Sequence, residues 1–437
     1  MGTRVNGDRL NDSSQHPLPA ETSLQRSAAR LLARTLEDQL TPAEAKLVRL
    51  VRGQVDAPTH LTVIDGEAAA LAARLGLLGC WAKIAGYNRD AADGANWLEG
   101  WSAAARAQTA FNLLLAHAEQ EWLARLLAQG IEAIPLKGVS LSRILYGDVS
   151  ARSTTDVDLL VRSKQVAVAA RLLEAEGFRS SLPRELLSFP AFLRSTDEHT
   201  SESVYAAECA GVSLQIELHW KILPLPEREV WGALRTYDAP GGAVRGLSAE
   251  LYLLYLCAHF AGHGWKSLHW LRDIAEFVKK FANELEPATF LGWCRRAALR
   301  HRTGVTFALL EAYCGVRWPA VESLCDARAF HTAAQLLRRP LQPASDPGVF
   351  AAHRERLRHQ DGPAGRLRYL AWLARPTRAE WARPDGSLRG APVAWMARAA
   401  RLLRLTAAES FSQLPPAGAS VETAAPLRTP AERGSAD

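Results

Sequence analysis

The sequence lacks the marks of a secreted, membrane-spanning or zinc-binding protein. Its six cysteines form no CxxC pair and show no zinc-ligand spacing, so we expect reduced thiols in apolar helices. Residues 1–21 contain no apolar segment like that of a secretory signal. The longest apolar stretches are short or carry charges, which argues against a membrane span. These features favour a cytoplasmic protein.

Several signatures of catalysis are absent as well. The chain has no Walker A loop, no Rossmann glycine fingerprint and no serine-hydrolase elbow. Apolar residues make up 48% of the chain and charged residues 22%, which is typical of a globular protein with a sizeable core. With only two methionines and many alanines, leucines and arginines, the composition points to a GC-rich bacterial coding sequence.

The net charge of +6 is unevenly distributed along the chain. Residues 351–404 contain twelve arginines and four acidic residues. Such a stretch can bind phosphate-rich partners, including RNA. A solvated, arginine-rich helix face is the more common explanation. The absence of alternating aromatic and basic residues in a strand also weakens an RNA-binding interpretation.

Changes in composition and in the spacing of apolar residues divide the sequence into five predicted segments. Residues 1–22 and 411–437 are rich in polar residues or proline, and we expect them to be disordered. Residues 23–129 and 246–410 have the three- and four-residue apolar spacing of helices. Residues 130–245 show strand and helix patterns in turn. We therefore predict an α+β fold, mostly helical, with a small α/β core between N-terminal and C-terminal helical regions.

The predicted α/β core has a strand with two acidic residues, in the segment TDVDLLVR. Asp156 and Asp158 are separated by one residue, so period-two geometry places both carboxylates on one face. Two like charges this close are costly unless a cation lies between them. Oxygen ligands of this kind suit Mg²⁺ or Mn²⁺. Two solvated acids at an exposed strand end are the alternative.

A third acidic residue lies on a later predicted strand, residues 212–220. Glu217 has apolar neighbours in LQIELHW, where a lone glutamate is expensive to bury. Beside Asp156 and Asp158 it would complete a metal cage of the kind that phosphoryl and nucleotidyl transfer enzymes use. We therefore predict these three as catalytic residues and metal ligands. A surface-facing Glu217 is the alternative. His219, on the same strand face, would orient Glu217, contact substrate or serve a structural role.

A glycine-containing turn precedes this strand and is a candidate phosphate-binding element. Lys137, Gly138, Val139 and Ser140 lie between a short apolar strand and a helix. Glycine lets the backbone approach a phosphate, and the amides of the helix N-terminus point towards it. Lys137 would add a positive charge. Arg152 would also reach a phosphate, or it would only support the loop.

Further candidates lie in the C-terminal helical region. His259 and His263 have the i, i+4 spacing of a helical metal site, but no HExxH motif accompanies them. Helix packing or contact with substrate explains them better than zinc. Asp273 lies on an otherwise apolar helix face, so it either pairs with a distant cation or lines the cleft. We predict His219, His259, His263 and Asp273 as candidate cleft residues.

The segment LKGVSLSRILYGDVSARSTTDVDLLV, followed by LQIELHW, resembles the polymerase-β-like nucleotidyltransferase superfamily. Within it, the chain is similar to an uncharacterised bacterial nucleotidyltransferase family, which also matches HFAGHGWKSLHWLRDIAEFV. The resemblance covers about residues 25–405, with its specific motifs in 134–220 and 255–278. One departure concerns the turn. The superfamily usually has Gly-Ser or Gly-Gly there, whereas Gly138 is followed by Val139 and lies eighteen residues before Asp156.

The resemblance implies a Mg²⁺- or Mn²⁺-dependent enzyme that transfers a nucleoside monophosphate from an NTP such as ATP and releases pyrophosphate. Asp156, Asp158 and Glu217 would hold the metal, with Glu217 also a candidate base. The acceptor would be a small molecule, a peptide, a protein side chain or an RNA end. A non-catalytic nucleotide- or partner-binding module with the same fold is the alternative. The sequence identifies neither the acceptor, the nucleobase nor the oligomeric state.

Overall fold

A computed structural model describes residues 40–52, 96–180, 182–196, 201–209, 211–338, 349–381 and 388–412, with Arg383 and some single positions before residue 96. The disorder predicted for residues 1–22 and 413–437 lies outside the described residues. Two residues of the predicted tail, 411 and 412, belong to the last helix.

Helices and strands alternate through the first part of the chain. The elements are α1 (Pro42–Arg52), α2 (Asn96–Ala128), β1 (Ala133–Pro135), α3 (Gly138–Tyr146), a 3-10 turn (Val149–Ala151), β2 (Val157–Val161), α4 (Val166–Ala175), β3 (Arg179–Ser180), α5 (Arg184–Leu187), α6 (Pro190–Ser195), β4 (Glu202–Cys209), β5 (Val212–His219), α7 (Glu227–Gly232), β6 (Leu234–Tyr237) and β7 (Val244–Leu247).

Helices follow to the end of the described chain. They are α8 (Ala249–Gly262), α9 (Leu268–Phe281), α10 (Pro287–Ala297), α11 (Arg300–Cys314), a 3-10 helix (Pro319–Leu324), α12 (Ala327–Leu337), α13 (Val349–Arg358), α14 (Gly362–Leu373), α15 (Arg378–Trp381) and α16 (Ala391–Ser412). The predicted α+β class, mostly helical, is confirmed. Among the helices described, none is both long and apolar enough to cross a membrane.

The five-stranded sheet has the order β1-β2-β5-β4-β3. Strands β2 and β5 are parallel, while β1 with β2, β4 with β5 and β3 with β4 are antiparallel. Strands β6 and β7 form a separate antiparallel hairpin. The parallel β2–β5 pair lies inside the sheet, so functional side chains of the two strands can be neighbours there.

Successive side chains of β2 point to opposite faces of the sheet and pack into two different hydrophobic cores. Val157, Leu159 and Val161 pack into a core with residues of α2, α4 and β5. Leu160 faces the other way, into a larger core built mainly from α8, α9 and α11. Asp158 shares the face of Leu160, so its carboxylate points to the side covered by the C-terminal helices. This larger core crosses the domain boundary predicted near residue 245, and the domain limits stay a prediction.

Local signals in the sequence explain several element boundaries, with two corrections. Gly147 ends α3 in the left-handed conformation, and the Ser248 side chain accepts the Leu251 N–H at the start of α8, as glycine and serine commonly do at helix ends. The residue type of Ser163 predicts an N-cap for α4, and this prediction is wrong. Helix α4 begins at Val166, while the Ser163 N–H and hydroxyl donate to Glu227. Strand β2 begins at Val157, so Asp156 lies just before the strand.

Candidate functional site

Two of the predicted acidic residues are neighbours across the parallel strands. The register pairs Asp158 of β2 with Glu217 of β5, and paired residues of adjacent strands point to the same face. Asp158 is buried at 1% exposure, whereas the Glu217 side chain is 17% exposed. The apolar residues on both sides of each acid explain the placement, because they occupy the opposite face and bury the strands.

His219 lies on the same face, one pleat beyond Glu217. Its Nε2 is 3.0 Å from Asp158 Oδ1 and 3.4 Å from Glu217 Oε2. One ligand atom from each of Asp158, Glu217 and His219 lies within 4.8 Å of the others, a spacing that could hold a metal ion. The other ring nitrogen, Nδ1, is 3.4 Å from Oε2 of Glu202 on β4.

Lys137 supplies a second positive charge at this face. Its Nζ lies 2.8 Å from Asp158 Oδ1, the same oxygen that His219 approaches. The turn between β1 and α3 therefore aims Lys137 at the acidic residues. The other oxygen, Asp158 Oδ2, is buried and has no hydrogen-bond partner among the residues that the structure describes.

The charges of this cluster shift the pKa values of its members. Burial alone would raise the pKa of Asp158, but Lys137 and His219 outweigh it and hold that pKa well below its usual range. Burial alone would lower the pKa of His219, but its hydrogen bonds to Asp158 and Glu217 raise it to about 9. The three carboxylates Asp158, Asp156 and Glu217 likewise outweigh burial and raise the pKa of Lys137.

Asp156 lies just before β2, and the charges of this cluster act on its carboxylate. Burial and the charge of Asp158 raise the pKa of Asp156 to about 6. Its carboxylate is outside the group of three ligand atoms found within the described chain. The structure therefore brings Asp158 and Glu217 together and places Asp156 next to them.

The cluster fits a divalent cation. The negative charges of Asp158 and Glu217 act on both Asp156 and Glu202, and the positive charges of Lys137, His219 and Arg152 oppose them. A buried carboxylate oxygen without a partner costs free energy unless a cation or donor meets it, and Asp158 Oδ2 is such an atom. Carboxylate oxygens are the ligands that Mg²⁺ and Mn²⁺ prefer.

The predicted phosphate turn begins helix α3 as expected, but two of its side chains point away from the acidic face. Val139 is buried in the core beneath the sheet. The Ser140 hydroxyl donates to the buried Glu119 of α2, and burial raises the pKa of Glu119 to about 7. What these residues present at the helix N-terminus is their backbone amides.

The backbone of this turn requires glycine at position 138. Its φ is +64°, in the left-handed region that favours glycine, and an added Cβ would lie 3.3 Å from Thr154 Cγ2 and 3.4 Å from the Asp156 carbonyl. Glycine thus lets the turn approach the segment that leads into β2. This contact keeps Lys137 beside Asp158.

Arg152 forms a buried ion pair with an acidic residue of a helix distant in sequence. Its Nε donates to Asp273 Oδ2 of α9 at 2.7 Å, and both side chains are buried. The Tyr146 hydroxyl donates to Asp273 Oδ1 at 2.8 Å. Arg152, Asp273 and Tyr146 therefore form a buried clamp between the α/β unit and the C-terminal helices. The nucleotide-binding role of Arg152 and the cleft role of Asp273 stay predictions.

The two helical histidines belong to an aromatic cluster at the end of α8. The rings of His259 and His263 are 4.6 Å apart, and both lie within 4.8 Å of the Trp270 ring. Burial, followed by the charge of Lys137, holds the pKa of His259 well below its usual range. The contact of His259 and His263 with substrate stays a prediction.

Sequence reasoning missed Glu202 and Glu119. Glu202 is opposite His219 in the β4–β5 register, which a single sequence does not reveal. The alternation in ESVYAAEC would have been a signal for β4. Glu119 lies between Leu115 and Trp122 on the apolar face of a helical segment, where a buried acid requires a partner.

Comparisons with known proteins identify the family of this chain. A family model described as an uncharacterised nucleotidyltransferase matches residues 65–315. The crystal structure of an antigenic nucleotidyltransferase-like protein from Paracoccidioides brasiliensis has 17% sequence identity and a TM-score of 0.25, and the alignment covers 46% of this chain and 93% of that one. No curated protein matches. Because the family model spans more than half of the 437 residues, the chain belongs to the uncharacterised nucleotidyltransferase family.

Proposed function

We propose that the protein transfers a nucleoside monophosphate from an NTP to an acceptor hydroxyl or amine, in a reaction that requires Mg²⁺ or Mn²⁺. The supporting observation is the pairing of Asp158 with Glu217 in adjacent parallel strands, with Asp156 beside them, in a member of this family. Such a set of carboxylates on one sheet face is suited to holding a metal ion near phosphates.

Asp156, Asp158 and Glu217 would hold the cation. When bound, the cation neutralises phosphate charge and favours attack on the α-phosphorus. Glu217 is the most accessible of the paired acids and would accept the proton of the attacking acceptor group. The new bond joins the acceptor to the α-phosphorus. The bond from that phosphorus to the bridging oxygen breaks, and pyrophosphate leaves with the electron pair.

Lys137 and the first turn of α3 would bind the triphosphate. Lys137 reaches the Asp158 carboxylate, so its ammonium group is positioned at the edge of the proposed metal site. The backbone amides of Gly138, Val139 and Ser140 have no acceptor within the helix and are available to phosphate oxygens. The acceptor, a small molecule, peptide, protein or RNA end, would enter between the sheet and α8, where His259 and His263 lie.

The test uses each α-³²P-labelled NTP with the full chain, a cell extract and Mg²⁺ or Mn²⁺. We expect label in an acceptor together with stoichiometric pyrophosphate. The double variant Asp156→Asn/Asp158→Asn is the first comparison, and Glu208→Gln on the exposed part of β4 is the matched control. Transfer that persists in the double variant would refute the proposal.

A non-catalytic nucleotide-binding module is the second candidate, favoured by a specific observation. Both predicted phosphate-binding cations already hold acidic partners, Lys137 with Asp158 and Arg152 with Asp273. A module of this kind would bind Mg²⁺–NTP in calorimetry and release no pyrophosphate with any acceptor. Turnover above the double-variant background would eliminate it.

A further inference from the structure

The position of His219 differs from that of a histidine that merely supports a carboxylate. Its Nε2 faces two acids at once, Asp158 Oδ1 at 3.0 Å and Glu217 Oε2 at 3.4 Å. A ring nitrogen that supports a single carboxylate needs only one such contact. Here one ligand atom from each of Asp158, Glu217 and His219 lies within 4.8 Å of the other two.

These separations match adjacent ligands of one ion. In an octahedral site with metal–ligand bonds of about 2.1 Å, neighbouring ligand atoms lie about 3 Å apart. The observed distances of 3.0 and 3.4 Å from Nε2 to the two carboxylates agree with that spacing. His219 Nε2 is therefore placed to be a ligand adjacent to either acid, and metal binding would release the Nε2 proton to water.

Glu202 provides the support that a metal-binding histidine usually has. Histidine ligands commonly donate their second ring N–H to a carboxylate, which fixes the tautomer and the ring orientation. Glu202 Oε2 lies 3.4 Å from His219 Nδ1, and the β4–β5 register pairs these two residues. This contact leaves Nε2 as the nitrogen that faces the acids.

A separate observation concerns the second carboxylate oxygen of Asp158. Asp158 Oδ2 is buried without a hydrogen-bond partner in the described part of the chain, although Oδ1 of the same group meets both Lys137 and His219. An ion bound beside Asp158 would give Oδ2 the partner that it has not found among the described residues.

We propose that the metal is held by Asp158, Glu217 and His219, with Glu202 as a positioning residue, and that this nitrogen donor gives the site a preference for a first-row transition ion over Mg²⁺. Mg²⁺ strongly prefers oxygen, whereas imidazole raises affinity for transition ions. The inference rests on the metal-binding part of the proposed function and changes its ligand set. In this ligand set Asp156 lies next to the ion and is not one of its ligands.

Mn²⁺ serves as the probe, because its bound and free forms differ in electron paramagnetic resonance. With the full chain and no nucleotide, we expect one Mn²⁺ bound and Mg²⁺ displacing it only at a concentration at least about 10-fold higher. Pulsed measurements should show coupling of Mn²⁺ to an imidazole nitrogen. Absence of Mn²⁺ binding, or binding without this coupling, would overturn the proposal.

Two variants examine the ligand and its support. His219→Ala should remove the nitrogen coupling and weaken Mn²⁺ binding about 100-fold, while Glu202→Gln should keep the coupling and weaken binding about 10-fold. Glu202 is partly exposed, so its variant should fold even if His219→Ala does not. His331→Ala and Glu208→Gln, both at exposed positions, are the matched controls and should bind like the wild type. Unchanged binding in both site variants would refute the assignment.

The failure of this inference is distinguishable from failure of the proposed function. Nitrogen-coupled Mn²⁺ without nucleotide transfer would leave the metal site intact and remove the transferase. Nucleotide transfer with Mn²⁺ coordinated by oxygen alone would do the reverse. Each result therefore decides one of the two statements.

Discussion

Two buried ion pairs involve residues just before and just after helix α3 in the chain, Lys137 with Asp158 and Arg152 with Asp273. They differ in how many of their carboxylate oxygens have a hydrogen-bond partner. In the clamp, Asp273 accepts from Arg152 through one oxygen and from Tyr146 through the other. At the sheet face, Lys137 and His219 share one oxygen of Asp158, and the second has no partner among the described residues.

The difference separates a structural pair from a candidate binding pair. A buried charge that has all its hydrogen bonds serves the fold and gains nothing from a ligand. A buried charge with an unsatisfied atom, close to other acids, is stabilised when a cation arrives. The clamp thus links α9 to the segments that contain Tyr146 and Arg152, and the Lys137–Asp158 pair lies at the proposed metal site.

The largest expected effect comes from neutralising one acid of each pair, which tests whether only the Lys137–Asp158 pair serves nucleotide transfer. Asp158→Asn should lower nucleotide transfer at least about 1000-fold, because loss of a metal ligand removes several kcal/mol of transition-state stabilisation. Asp273→Asn should leave transfer per folded molecule within a few-fold of wild type. Initial rates, scaled to the folded fraction from circular dichroism, provide the measurement. Similar losses in both variants would contradict the distinction.

The clamp should instead dominate stability. Arg152→Met leaves Asp273 buried without its cation, and breaking a buried pair in this way costs about 3 to 5 kcal/mol. The double variant Arg152→Met/Asp273→Leu should recover a large part of that loss, because no charge remains unpaired. Urea unfolding of the two variants measures the difference. A double variant no more stable than Arg152→Met would show that charge burial is not the cause.

A third buried acid sharpens the comparison, because Glu119 is paired with a neutral hydroxyl. Its pKa rises from 4.5 to about 7 through burial, with Arg143 lowering it and Asp158 raising it. A raised carboxyl pKa means that ionisation opposes folding, so the cost is absent below pH 4.5, grows up to about pH 7 and then levels off.

Glu119→Gln should therefore stabilise the protein by about 3 kcal/mol at pH 8, a value that follows from the raised pKa. The gain should vanish near pH 4. Denaturant unfolding at the two pH values measures it, with Glu121→Gln, a partly exposed position of the same helix, as the control. A gain independent of pH would mean that packing, and not ionisation, is responsible.

The smallest expected effect concerns the lysine at the sheet face. Lys137 competes for Asp158 Oδ1, so Lys137→Met should increase affinity for Mn²⁺ about fivefold, or about 1 kcal/mol. Lys164→Met, at an exposed position, should leave the affinity unchanged. Titration calorimetry of the two variants against wild type gives the comparison. Weaker binding in Lys137→Met would assign this residue a supporting role in the metal site.

Features determined by neighbouring residues could be predicted from the sequence. The strand containing Asp158, the strand containing Glu217, the helix end at Gly147 and the cap at Ser248 all rest on local periodicity or cap chemistry. The same local information predicted that Asp158 and Glu217 would be the acidic residues of one face, and the structure places them side by side.

Features determined by distant residues could not be predicted. The partner of Arg152 is 121 positions away in the chain, and no local pattern indicates it. Strand β4 and the β6–β7 hairpin were not recognised. The two hairpin strands have four residues each, and the alternation of buried and exposed residues along the eight-residue β4 ends after Tyr205. Ser163 resembled a helix cap by residue type, but the tertiary contact with Glu227 determines its role.

The crossover between β2 and β5 also has a consequence for the order of chain synthesis. Asp158 and Glu217 are 59 positions apart, with α4, α5, α6, β3 and β4 between them. Because a ribosome extends the chain from its N-terminus, Asp158 leaves the exit tunnel well before Glu217, His219 and Asp273. A nascent chain truncated before β5 therefore contains the signature aspartates but not the Glu217 and His219 side chains that would complete the proposed ion site.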